Sequence, residues 1–161
     1  MISGQAAFDG IIADIREFSQ SAENLISLQE FCVAIIAERL PYYNWVGFYM
    51  LDPDDERTLV LGPFRGARTD HVRIPVSEGI CGVAVARGET IIVPDVSSDS
   101  RYLACSLETK SEIVVPIRVL GKIIGEIDID SHTLDAFDGE DKAFLEKCAD
   151  IVQDFLSPSH V

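Results

Sequence analysis

The chain has 161 residues, the length of one domain built around one core. Its 13 basic and 27 acidic residues leave a net charge of −14, a surface that repels nucleic acid and anionic membranes and favours a small cationic or zwitterionic ligand. No apolar run approaches the roughly 20 residues of a membrane span, and the opening MISGQAAFDGIIADIREF carries early acids and no basic leader, so a cytoplasmic protein is expected.

Phe8, Ile11, Ile12, Ile15 and Phe18 recur at helical spacing and predict a helix over Ala7 to Phe18. A second helix is predicted from about Ser21 to Leu40, with Ser21 as N-cap and Asn24 after it. Its apolar face comprises Leu25, Leu28, Cys32, Ile35 and Ile36, and Pro41 stops it. The pattern then changes. Asn44 to Leu51 reads as an aromatic-rich strand, Asp52 to Glu56 as an acidic turn and Thr58 to Phe64 as the returning strand, where Pro63 marks either its end or a sheet edge. Val72 to Val76 is a short third strand. Gly79 to Gly88 is a short helix entered through glycine, with Cys81 flanked by Gly79 and Gly82. Thr90 to Val93 is a strand and Pro94 to Leu107 a loop rich in turn formers. Ser111 to Leu120 and Lys122 to Ser131 form a hairpin around Gly121. Asp138 to Leu156 closes the chain as a helix whose apolar face holds Phe144, Leu145, Cys148, Ile151, Val152 and Phe155.

The order predicts an α+β fold with an antiparallel sheet, one domain over residues 1–161: N-terminal helices in 1–40, sheet and pocket loops in 44–131, C-terminal helix in 138–156. The end helices should cover one face of the sheet and leave the other for a pocket. Their long apolar faces also predict a homodimer.

The four cysteines match no C-x-x-C pattern, so neither a zinc motif nor a thioredoxin-like motif is expected. Cys32 and Cys148 sit on apolar helix faces and read as core. Cys81 and Cys105 lie in turn or loop contexts. Around them, Glu112, Asp128 and Asp130 fall in predicted strands, with Ile127 and Ile129 facing one way and the two aspartates the other. Singly, each has an ordinary role: a solvated strand face, a small residue at a tight helix start, a loop thiol. Together they place thiols beside acids in strands, which costs stability unless a ligand uses them.

The segments NWVGFY, LVLGPF, VRIP, GICG, LACSLETKSEIVVPI and GEIDIDS, spread over Asn44 to Asp141, resemble a GAF domain. More narrowly they resemble the free methionine-(R)-sulfoxide reductases, stand-alone GAF enzymes. The resemblance implies that Glu112, Asp128, Asp130, Trp45 and Tyr49 line a pocket for free methionine sulfoxide. It further implies that Cys105 and Cys81 are the redox thiols, with Glu112 assisting, and that no cofactor is bound and a thioredoxin-like donor restores the thiols. Cys105 is the expected nucleophile and Cys81 the expected resolving thiol; the reverse assignment stays open. At one position the chain departs from the family pattern: His71 stands where a further cysteine commonly precedes VRIP.

The chemistry is consistent with these residue types. A thiolate is a soft nucleophile suited to attack on sulfur, and an acid with a raised pKa can protonate the departing oxygen. Clustered acids suppress one another's ionisation and pair with a substrate ammonium. The alternative function is a non-catalytic small-molecule-binding or redox-sensing GAF module that keeps the same pocket.

Overall fold

A computed structural model describes residues 4–102 and 108–157. Four α-helices, α1 (Gly4–Ser19), α2 (Leu25–Arg39), α3 (Gly79–Arg87) and α4 (Gly139–Leu156), pack on six strands. These are β1 (Trp45–Asp52), β2 (Asp55–Arg65), β3 (Arg73–Pro75), β4 (Ile91–Val93), β5 (Ser111–Val119) and β6 (Lys122–Ser131). The fold is α+β, with a sheet in the order β3-β2-β1-β6-β5-β4 and every adjacent pair antiparallel.

Alternation along the central strands sends side chains to two different cores. Val46 and Phe48 of β1, Ile113, Val115 and Ile117 of β5, and Ile127 and Ile129 of β6 pack against α1, α2 and α4. The opposite face carries Trp45, Tyr49 and Val114, covered by Ile80, Cys81, Ala84 and Val85 of α3. The acids of β5 and β6 share this second face. α3 can pack against the end of β3 and the link that follows it because residue 82 is glycine: a Cβ there would meet the Pro75 carbonyl oxygen at 2.6 Å. On the first face, Tyr42 and Tyr43 both donate hydroxyl hydrogen bonds to Asp141 Oδ1, at 2.6 and 2.7 Å, which ties the entry of β1 to the first turn of α4.

Several boundaries differ from the sequence reading; α1, for one, starts at Gly4 rather than Ala7. α2 starts at Leu25, with Asn24 rather than Ser21 as its cap. Asn24 has extended backbone angles, and its side chain accepts from Ser27 N at 2.9 Å, a contact worth about 1 kcal/mol. β1 and β2 turn within the acidic stretch, where Asp52 pairs with Asp55, so the turn is shorter than the predicted one. Of the two readings for Pro63, the sheet edge holds, since β2 continues to Arg65. Pro63 lies where the register shifts between the Gly47–Phe64 and Tyr49–Leu61 pairs, and beyond the stretch that β3 covers, so the missing N–H leaves no ladder bond broken. The predicted loop from Pro94 contains a 3-10 turn at Val96–Ser98, and its part from 103 to 107 lies outside the described residues. No helix among the described residues is long and apolar enough to cross a membrane.

Candidate active site

Register determines which acids meet. In the β5–β6 hairpin Glu112 pairs with Asp130 and Val114 with Asp128. In the β1–β6 pair Trp45 stands opposite Asp130, Gly47 opposite Asp128 and Tyr49 opposite Glu126. Cross-strand partners point to the same side of a sheet. Glu112, Glu126, Asp128 and Asp130 therefore share one face with Trp45 and Tyr49, under α3. Exposure is 3% for Glu112 and 0% for the other three.

Glu126 was absent from the residues singled out in the sequence, although GEIDIDS carries its signal. The two-residue period that pairs Asp128 with Asp130 also includes Glu126. Although Glu126 is only five residues from Gly121 in the hairpin turn, α3 reaches it through Cys81.

α3 contributes Cys81, which is buried with its sulfur facing the acids. One donor atom from each of Cys81, Glu112 and Asp128 lies within 4.8 Å of the others. Burial is the main cause that pushes the Cys81 thiol well above its ordinary range, and the charges of Asp128, Glu126 and Glu112 add to it. Burial likewise raises Glu126, Asp128 and Asp130. Asp128 further raises the other two, while contacts with the Cys81 thiol or Glu112 offset part of the rise. The thiol is near enough to act on Glu126 and Asp128, yet no oxygen of Glu126, Asp128 or Asp130 meets hydrogen-bond geometry with any of the described residues. Desolvated carboxylates without donors favour the protonated form. The arrangement can hold protons near neutral pH and can receive an ammonium group.

The aromatic wall is fixed by close approach. The Trp45 ring folds over Gly47, where a Cβ would sit 2.3 Å from the ring. It stacks on Phe64 at 5.4 Å and on Tyr49 at 6.2 Å between centroids. The indole N–H donates to the Ala67 carbonyl at 3.0 Å, and the Tyr49 hydroxyl to the His71 carbonyl at 2.8 Å. Both aromatics thus hold the β2–β3 connection, and His71 joins the site region through its backbone. Beside Asp130 and Trp45 opens a cleft of about 60 Å³, with Asn44, Ala67, Glu108, Thr109 and His132 around it. A larger cleft of about 570 Å³ between α2 and the β1–β2 hairpin has an apolar lining and none of the buried acids or thiols.

Of the seven residues expected at the site, six come together: Trp45, Tyr49, Cys81, Glu112, Asp128 and Asp130. Cys105, the seventh, lies outside the described residues. Cys32 and Cys148 are buried in the helical core, as expected.

The GAF domain family model matches residues 4–153. The free methionine-R-sulfoxide reductase of Escherichia coli is 46% identical over 114 residues, 71% of this chain and 67% of that protein. The chain belongs to the GAF family, among the free methionine-(R)-sulfoxide reductases. Another member, from Saccharomyces cerevisiae, is 48% identical over 110 residues, covering 68% of this chain and 61% of the yeast protein. The crystal structure of the free methionine-R-sulfoxide reductase of Neisseria meningitidis, in complex with its substrate, superposes with a TM-score of 0.91 at 33% identity, over 96% of this chain and 91% of that one. Against this reductase fold, the buried acid cluster and its aromatic wall occupy the face of the sheet opposite the terminal helices.

Proposed function

We propose that the chain reduces free L-methionine-(R)-sulfoxide to methionine by cysteine chemistry. The observation that carries the reading is the convergence of Glu112, Asp128, Asp130 and Cys81 on one buried face walled by Trp45 and Tyr49. Relatives named as free methionine-R-sulfoxide reductases support it.

In this reading the acids receive the substrate ammonium, whose charge offsets the burial of the carboxylates. Trp45 and Tyr49 pack against the thioether end. Cys105 is the nucleophile: its thiol takes the sulfoxide oxygen, leaving methionine and a cysteine sulfenic acid. A protonated carboxyl group of the cluster supplies the proton as the S–O bond polarises, with Glu112 assisting at the site. Cys81 then condenses with the sulfenic acid, giving a disulfide and one water. Its raised pKa requires that its proton leave first, and Glu126, the adjacent acid, takes it only in its ionised form. A thioredoxin-like dithiol reduces the disulfide and is itself oxidised. The reaction needs no bound cofactor in this scheme, and the working unit is a homodimer in the cytoplasm.

The test is turnover of free L-methionine-(R)-sulfoxide with a small dithiol, then with thioredoxin and its recycling system. The S epimer and peptide-bound sulfoxide are the controls. Turnover of the R epimer alone, lost in Cys105→Ser, is the expected result. Activity with the dithiol but not with thioredoxin would overturn the donor and keep the reaction. Folded, reduced protein inactive with both would reject the reductase in favour of a ligand-binding module.

A further inference from the structure

The acid cluster has a feature that an ammonium ligand does not use. A sulfur atom stands among the carboxylates, with one donor atom each from Cys81, Glu112 and Asp128 inside a 4.8 Å span, all three residues buried. The three come from separate elements, α3, β5 and β6, so the grouping is set by sheet register and by how α3 lies over the sheet rather than by any sequence spacing.

From this geometry we infer that the reduced protein without substrate binds one thiophilic divalent cation of the zinc and cadmium class through Cys81 Sγ and carboxylate oxygens of Glu112 and Asp128. Zinc holds sulfur at about 2.3 Å and carboxylate oxygen at about 2.0–2.2 Å, which in a tetrahedron places donors roughly 3.4–3.6 Å apart. The described grouping needs only a closure of about an ångström to reach that spacing, within the reach of side-chain rotation.

A second, independent observation points to a cation. Glu126 is fully buried, its carboxylate is directed at the Cys81 thiol, and neither of its oxygens has a hydrogen-bond partner among the described residues. It lies beside the sulfur donor, outside the three-residue grouping itself. Asp130, equally buried and without a hydrogen-bond partner, adds negative charge beside Asp128. Among the described residues, no lysine or arginine is among the charges acting on Glu126, Asp128 or Asp130. A dication would neutralise charge that the protein itself leaves uncompensated.

Donor type sets the selectivity. One thiolate among oxygens suits zinc and cadmium, whereas magnesium and calcium require all-oxygen shells of higher coordination. The binding step is balanced by proton release: the Cys81 S–H bond breaks, a sulfur–metal bond forms, and that proton, with any held by the coordinating carboxyl groups, leaves to solvent. The inference does not depend on the reductase reading, since a ligand-binding module with the same residues would bind the ion equally.

The experiment titrates cadmium into full-length, fully reduced protein and follows the ultraviolet thiolate-to-cadmium charge-transfer band, with zinc titrated by calorimetry alongside. One cadmium per chain with a charge-transfer band is expected, displaced by zinc and untouched by an excess of magnesium or calcium. Cys81→Ser should abolish the band, Asp128→Asn should weaken binding by about tenfold or more, and Cys105→Ser should leave both unchanged. A band that survives Cys81→Ser, that disappears in Cys105→Ser, or that never forms in the wild-type protein would overturn the site. Should Cys81→Ser fail to fold, Asp128→Asn and Glu112→Gln decide the matter through zinc-induced thermal stabilisation: loss of that shift supports the site, and an unchanged shift rejects it.

Discussion

Glu126 and Tyr49 are register partners across β6 and β1, and neither side chain reaches solvent. One is fixed through its hydroxyl to the His71 carbonyl, while the other ends in a carboxylate that no described donor satisfies. Glu126→Gln keeps the shape and removes the ionisable group. The variant is expected to be more stable than the parent at pH 8 by about 1–2 kcal/mol, the scale of relieving a buried, unpaired acid. Chemical denaturation measures it, and equal or lower stability would mean that the carboxylate is compensated.

The same acids predict an unusual pH dependence of stability. Glu126, Asp128 and Asp130 titrate in the native state above their ordinary values of 4.5, 3.8 and 3.8. Above those values the native state binds more protons than the unfolded chain, so stability falls as pH rises through the raised native pKa values. Asp52, Asp99 and Asp138 shift downward, and the stability they contribute is lost only on acidification below about 3.8. Thermal unfolding of the ligand-free protein should therefore improve on going from pH 8 to pH 5. Asp130→Asn should flatten the slope. A melting temperature that rises with pH over this range would contradict the raised values.

Gly47 and Gly62 offer a paired test of the aromatic wall. Alanine at 47 would put a methyl 2.3 Å from the Trp45 ring, whereas at 62 its nearest contact is 3.4 Å, at the Phe48 carbonyl oxygen. Gly47→Ala is expected to destabilise by about 1–3 kcal/mol through overpacking and to raise KM for the sulfoxide about tenfold or more. Gly62→Ala should change KM little. Equal effects at the two positions would show that Trp45 does not form the wall of the substrate site.

Tyr49→Phe removes the hydroxyl that holds the His71 carbonyl while keeping the ring. A loss of about 1 kcal/mol is expected, the usual worth of one such bond. Because the freed connection carries the edge strand β3, hydrogen exchange should quicken around residues 66–75 before the rest of the sheet. Uniform exchange rates would show that the bond is not what holds this segment.

The strands, the closing helix and the two-faced sheet were legible because period-2 and period-3.6 patterns in this chain are clean. GEIDIDS and the Phe144 to Phe155 stripe are the clearest cases. The start of α2 was not, since Ser21 and Asn24 are both good caps and only the backbone angle at Asn24 decides between them. At the site, Glu112, Asp128 and Asp130 were legible as acids in strands. Their meeting with Cys81 was not derivable from residue pattern alone, because it depends on how α3 lies over the sheet. Glu126 shows the complementary limit: its alternation was visible, but burial so near a hairpin turn depends on a helix more than 30 residues earlier in the chain.

The sequence contains a single tryptophan, and it is the residue that folds over Gly47 beside the acid cluster. Its indole lies between Phe64 and Tyr49, with the ionisable face of β6 across the register from it. The chain thus carries one indole fluorophore, located at the site itself and excitable apart from the four tyrosines. Ligand arrival, oxidation of a neighbouring thiol or binding of a metal ion would each alter its emission, and each could be followed in unlabelled protein in real time.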